Sequence, residues 1–104
     1  MSTVILGTLD AFTNGIPKTV TPDGRVLVVI RIEDLLYVLD DRCSHEDFAL
    51  SEGDVDVTAK TIECVRHGAY FDLETGDPKT FPATRPVATY EVVNVNGTYE
   101  VVVP

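Results

Sequence analysis

The chain has 104 residues, 44% of them apolar, with 17 acidic against 8 basic side chains for a net charge of -9. That length suffices for one modest hydrophobic core, while the negative charge argues against nucleic acid or an anionic membrane surface as a partner and leaves a basic protein surface as the natural counterpart. The first six residues lack a basic leader, and no run approaches the ~20 apolar residues of a membrane span, so the expectation is a single domain over 1–104 in the cytoplasm. On charge alone, solubility is a sufficient explanation of the acidity.

Valine and threonine are the two commonest residues and turn residues recur at short intervals, a pattern of many short antiparallel strands. A first strand is predicted at Thr3 to Leu6, then a single-turn segment through Thr8 to Phe12 before Asn14-Gly15. Thr19 to Thr21 reads as a strand stopped by Pro22-Asp23-Gly24, where proline presets φ and glycine relaxes the backbone. Arg25 to Ile32 is a nearly unbroken apolar run, as expected of a strand buried on both faces. It returns through Glu33-Asp34 into Leu35 to Leu39, a hairpin delivering Asp40-Asp41-Arg42 to the next segment. Glu46 to Asp56 reads as a loop with a short turn at Gly53, Lys60 to Glu63 as a strand, and Tyr70 to Leu73 as another, turned by Glu74-Thr75-Gly76-Asp77. Prolines stiffen 81–86 and remove ladder donors. Ala88 to Val95, Asn96-Gly97 and Thr98 to Val103 give the sharpest hairpin signal. The framework is all-β, with small antiparallel sheets forming a sandwich or incomplete barrel.

The only two cysteines and the only two histidines fall into two matched pairs, Cys43-Ser44-His45 and Cys64-Val65-Arg66-His67. A lone cysteine is more often a buried small hydrophobe than a ligand, and a disulfide does not suit a reducing compartment. Neither explanation covers all four residues together, and a four-ligand metal site does. Zinc sites commonly pair Cys with Cys and His with His, whereas here each pair is mixed.

The C-x-H and C-x-x-H pair, 18 residues apart, resembles the signature of the Rieske family. Leu50-Ser51-Glu52-Gly53, His67-Gly68, Phe71-Asp72, Thr75-Gly76 and Phe81-Pro82-Ala83 extend the likeness to the small ferredoxins of bacterial ring-hydroxylating dioxygenases, over roughly residues 25 to 103. The resemblance implies a Rieske-like fold with a cluster-binding subdomain of two hairpin-like ligand loops, approximately 40–86, covered by the proline segment. It also implies one 2Fe-2S cluster, with Cys43 and Cys64 on one iron and His45 and His67 on the other. Two ferric ions, two sulfides, two thiolates and two neutral imidazoles sum to zero charge, which makes reduction easier than in an all-thiolate cluster. Rieske potentials accordingly span about -150 to +300 mV, against about -400 mV for plant-type ferredoxins.

Both histidines are used by this assignment, so no pair is left for a mononuclear 2-His-1-carboxylate iron or for a Ser-His or Cys-His nucleophile, and no phosphate-binding glycine loop is present. One-electron transfer remains. Respiratory Rieske proteins carry a disulfide at positions matching Phe48 and Arg66, and hydroxyl donors to cluster sulfur at positions matching Ala69 and Phe71. All four differ here, which implies the low end of the Rieske range, and Val65 stands where many relatives have proline. The expected role is that of an electron carrier, not an enzyme. It would be a monomer taking electrons from a flavin-dependent ferredoxin reductase to a terminal oxygenase, with Arg42 and Arg66 beside the ligands orienting the contact or pairing with Glu46 or Asp47. The alternatives are a Rieske-type protein of iron-sulfur assembly or another redox system, and a zinc-binding structural module.

Overall fold

The structure, a computed structural model, describes residues 2–41, 49–64, 69–79 and 87–103. Among the described residues ten strands form three antiparallel sheets. The central sheet has the order β2-β3-β4-β8, from Lys18–Val20, Leu27–Ile32, Leu35–Asp40 and Thr89–Tyr90. A second, β1-β10-β9, joins the two ends of the chain through Ser2–Thr8, Thr98–Val103 and Val92–Val95. The third, β5-β6-β7, comprises Val55–Asp56, Thr61–Cys64 and Ala69–Asp72.

Strand β3 is the hub because its successive side chains enter two different cores. Val28, Ile30 and Ile32 join Leu39, Leu50, Ile62, Phe71, Leu73 and Val87 on the side of the third sheet. Leu27 and Val29 join Phe12, Leu36, Val38, Val101 and Val103 on the side of the terminal sheet. The expectation of burial on both faces is met from Leu27 onward, but Val26 is exposed and the predicted start at Arg25 is too early. Arg31, facing the second core's side in register with Leu36, donates from Nη1 to the carbonyls of Leu9 and Phe12 and ties the N-terminal segment to the sheet.

Two turns match their sequence signals closely. Asn96 and Gly97 both have positive φ, as a two-residue hairpin of this kind requires, and the Gly97 amide donates to Asn94 Oδ1 over 2.8 Å. The β3–β4 turn instead places Glu33 at φ 55, held by its amide's bond to Asn14 Oδ1 over 2.8 Å.

Three differences from the sequence expectation have physical causes. The run Ala88 to Val95 is two strands, because Tyr90 pairs with Val38 in the central sheet while Val92 pairs with Val101 in the terminal one. Tyr90 and Val92 both pack on the same core, so the alternation of side chains passes through the crossing unchanged. Strand β5 falls in a stretch expected to be a loop; it is only Val55–Asp56, paired to Ile62 and Thr61. Strand β2 is Lys18–Val20, one residue earlier than expected.

A candidate metal centre built on three anchored segments

Of the four candidate ligands, Cys43, His45 and His67 lie outside the described residues, as do Arg42, Glu46, Asp47, Phe48, Val65, Arg66, Gly68 and the segment Phe81-Pro82-Ala83. The backbone of Cys64 is described, and it occupies the last rung of a hairpin. β6 and β7 pair Thr61 with Asp72, Ile62 with Phe71, Glu63 with Tyr70 and Cys64 with Ala69. Residues 65–68, including His67, connect that rung. Ile62 and Phe71 face inward and are fully buried, and Tyr70 faces the other way, so core packing sets the register of the hairpin that carries Cys64.

The first pair is anchored differently. Strand β4 runs to Asp40, and Asp41 is buried at 8% exposure. Asp41 Oδ1 accepts the Ser51 amide over 2.7 Å, and its Oδ2 accepts the Ser51 hydroxyl over 2.7 Å and the Thr19 hydroxyl over 2.9 Å. Ser51 lies in the 3-10 turn Leu50–Glu52, secured by fully buried Leu50 and closed by the Gly53 amide donating to the Leu50 carbonyl over 2.8 Å. The expected turn at Gly53 is therefore present. Of the two ligand segments expected as hairpins, the second stands on paired strands; the first runs from β4 to a 3-10 turn, elements that do not pair with each other.

The bases of the two segments meet. A Cβ at Gly53 would overlap the carbonyl oxygen of Glu63, and the Glu63 amide donates to the Asp54 carbonyl over 2.9 Å. Asp41, Ser51, Gly53, Glu63 and Cys64 thus form a continuous line from the foot of one cysteine-histidine pair to the foot of the other.

A third segment, 80–86, has its ends fixed to the same framework. The Lys79 amide donates to the Tyr70 carbonyl over 2.7 Å, the Val87 amide to the Gly76 carbonyl over 2.8 Å, and the Asp40 amide to the Ala88 carbonyl over 2.9 Å. A Cβ at Gly76, where φ is +76, would overlap the Val87 carbonyl oxygen. The sequence marks Gly53 and Gly76 as turn and motif residues; these contacts are the reason glycine is needed there.

Two ionisable groups beside the anchors depart from ordinary behaviour. Burial alone would raise the Asp72 carboxyl, but the amides of Glu74 and Thr75 and the Lys79 ammonium at 3.5 Å outweigh it and hold the group below the usual range. Burial, then the hydrogen bond and charge of Asp40, push the Tyr90 phenol up. Among the described residues no group of three or more His, Cys, Asp or Glu could hold a metal ion, and no helix is long and apolar enough to cross a membrane.

Comparison with known proteins gives this framework its class. The Rieske [2Fe-2S] domain matches residues 2–91, and the chain belongs to that family. It is 39% identical over 96 residues to the anthranilate 1,2-dioxygenase ferredoxin subunit of Burkholderia cepacia, covering 92% of this chain and 87% of that protein. The ferredoxin of carbazole 1,9a-dioxygenase from Nocardioides aromaticivorans IC177 superposes with a TM-score of 0.92 at 33% identity, over 97% of each chain. A chain in a complex of reduced oxygenase and oxidised ferredoxin of carbazole 1,9a-dioxygenase superposes with a TM-score of 0.87 at 32% identity, over 95% of this chain and 91% of that one. The protein is a small Rieske-type ferredoxin, an electron carrier and not a catalyst, resembling the ferredoxin subunits of ring-hydroxylating dioxygenases. Membership implies a single Rieske-type cluster, and the donor set fits one: two thiols and two imidazoles, with Cys64 on a rigid rung and Cys43 two residues beyond a buried anchor.

Proposed function

We propose that Cys43 and Cys64 ligate one iron and His45 and His67 the other, and that the chain carries electrons singly from a flavin-dependent ferredoxin reductase to a terminal non-haem iron oxygenase that attacks aromatic rings. The observation that carries this reading is the joining of the two ligand-bearing segments at their bases, Asp41 to Ser51 and Gly53 to Glu63. It is supported by the likeness over nearly the whole chain to dioxygenase ferredoxins, one of them in a complex with its oxygenase.

Such a cluster supplies reversible one-electron exchange when bound. The chain's own part is to hold it and to present it. Leu50, Ile62, Phe71 and Leu73 pack the floor beneath the ligand segments and exclude water from that side. Each histidine, ligating through one ring nitrogen, keeps its proton on the other. The remaining surface is strongly acidic, so a basic dock on the partner is favoured and approach is steered by charge. The whole of 1–104 acts as one Rieske domain, its cluster-binding part approximately 40–86, in the cytoplasm and as a monomer.

The test is single-turnover transfer in the presence of the reductase and oxygenase of a ring-hydroxylating dioxygenase system. Oxygenase reduction should require this chain and slow as salt rises. Transfer that proceeds equally without the chain would rule the role out.

A further inference from the structure

We propose that Asp41 is the positioning residue of the first ligand-bearing segment, its carboxylate tying together the two described residues, Asp41 and Ser51, between which that segment is strung. The inference rests on the ligand reading above and assigns a role to a residue outside the ligand set. Charged side chains are seldom this buried unless their oxygens are satisfied. Both Asp41 oxygens are satisfied, and two of the three donors are the amide and hydroxyl of Ser51, ten residues on. The third, from Thr19, holds the same carboxylate against strand β2. The Asp41 amide donates to the Val26 carbonyl over 3.1 Å, so the residue is fixed by its backbone as well.

The carboxylate thereby works as a clasp with one side on the rigid end of β4 and the other on the turn that leads to Gly53 and the second segment. Without it, the ends of 42–50 are no longer tied to each other through a side chain, and the segment gains freedom to open and release its ligands. Asparagine is the informative replacement. Its carbonyl can accept from the Ser51 amide and its NH2 can donate to the hydroxyl oxygens of Ser51 and Thr19, so it keeps the clasp without the charge.

The experiment follows cluster loss in the purified holoprotein, as bleaching of visible absorbance under an iron chelator, for the wild type, Asp41→Ala, Asp41→Asn, Ser51→Ala and Thr19→Val. Asp41→Ala should lose its cluster about tenfold faster or more, on the scale of the ties removed. Asp41→Asn should stay near the wild-type rate, and Thr19→Val, which leaves the Ser51 tie in place, should change it little. Ser51→Ala, which removes one tie and keeps the other, should fall between and serves if Asp41→Ala does not fold. Overturning results are an Asp41→Ala or Ser51→Ala protein no faster than Thr19→Val, or an Asp41→Asn protein as fast as Asp41→Ala. A wild-type protein that holds no iron and sulfide would overturn the ligand reading, and this inference with it.

Discussion

The Tyr90 hydroxyl donates to Asp40 Oδ1 over 2.6 Å, joining residues 50 apart in sequence at the rung where β4 ends and the first ligand segment departs. Tyr90→Phe should therefore destabilise the protein by about 1–3 kcal/mol at neutral pH, since a half-buried carboxylate loses a donor. Because the folded protein holds the Tyr90 proton more tightly than an ordinary tyrosine does, that part of its stability is intact below pH ~10 and declines as pH rises through the raised folded value. The phenylalanine variant should lack this alkaline component. Denaturant titrations across an alkaline pH series check it, and identical alkaline limbs for the two proteins would contradict it.

Asp72 gives the opposite dependence. Its depressed carboxyl stabilises the fold above the unfolded value of about 3.9 and ceases to do so as pH falls through the folded one. Asp72→Asn should cost about 1 kcal/mol at neutral pH through the weakened 72–77 turn, with the gap narrowing in acid. Melting temperatures from neutral to acid pH would show this as converging curves.

Gly53→Ala should be among the most damaging single-methyl changes available, costing about 1–3 kcal/mol or more, because the new atom must displace backbone at Glu63 rather than a flexible side chain. Displacement there moves the rung next to Cys64, so the iron content of the purified protein should fall as well. Gly97→Ala is the control: it has nothing within 4 Å and, standing at φ +90, should cost about 1 kcal/mol through its backbone alone, with full cluster content.

The legible parts of the fold were those in which one local signal decides the outcome. The apolar run of β3 announced burial on both faces, and Asn96-Gly97 announced the hairpin between β9 and β10. The crossing at Glu91 left no trace, since Tyr90 and Val92 bury on one core while their backbones pair in different sheets. In the third sheet the strands near Lys60 to Glu63 and Tyr70 to Leu73 were legible, and β5 escaped because it is two residues long. At the site, the cysteine and histidine pairs were evident from residue type and spacing, but Asp41 was one acidic residue among 17. Only the folded chain, by bringing Thr19 and Ser51 to it, distinguishes Asp41 from its neighbours.

Ala69→Ser, at the rung opposite Cys64, should add a donor to sulfur and raise the reduction potential by about 20 to 65 mV, the equivalent of one net hydrogen bond for one electron. Phe71→Tyr should do the same if its hydroxyl reaches sulfur. Phe71 is fully buried in the core with Ile62 and Leu50, so a hydroxyl that misses would instead be unsatisfied and cost about 1–3 kcal/mol of stability. Voltammetry and thermal melts on the two variants separate these results; unchanged or lower potentials in both, with clusters intact, would mean that neither position faces sulfur.

The proposed holding of one two-iron cluster by two thiolates and two imidazoles of this chain has a direct chemical readout. It is tested most directly by measuring iron, acid-labile sulfide and zinc in the anaerobically purified protein, alongside EPR spectra of the reduced wild type, His45→Ala and His67→Ala. The protein should contain about two irons and two sulfides per chain and negligible zinc, and each histidine variant should lose the native signal. One zinc per chain without sulfide, or a native signal surviving in either variant, would contradict it.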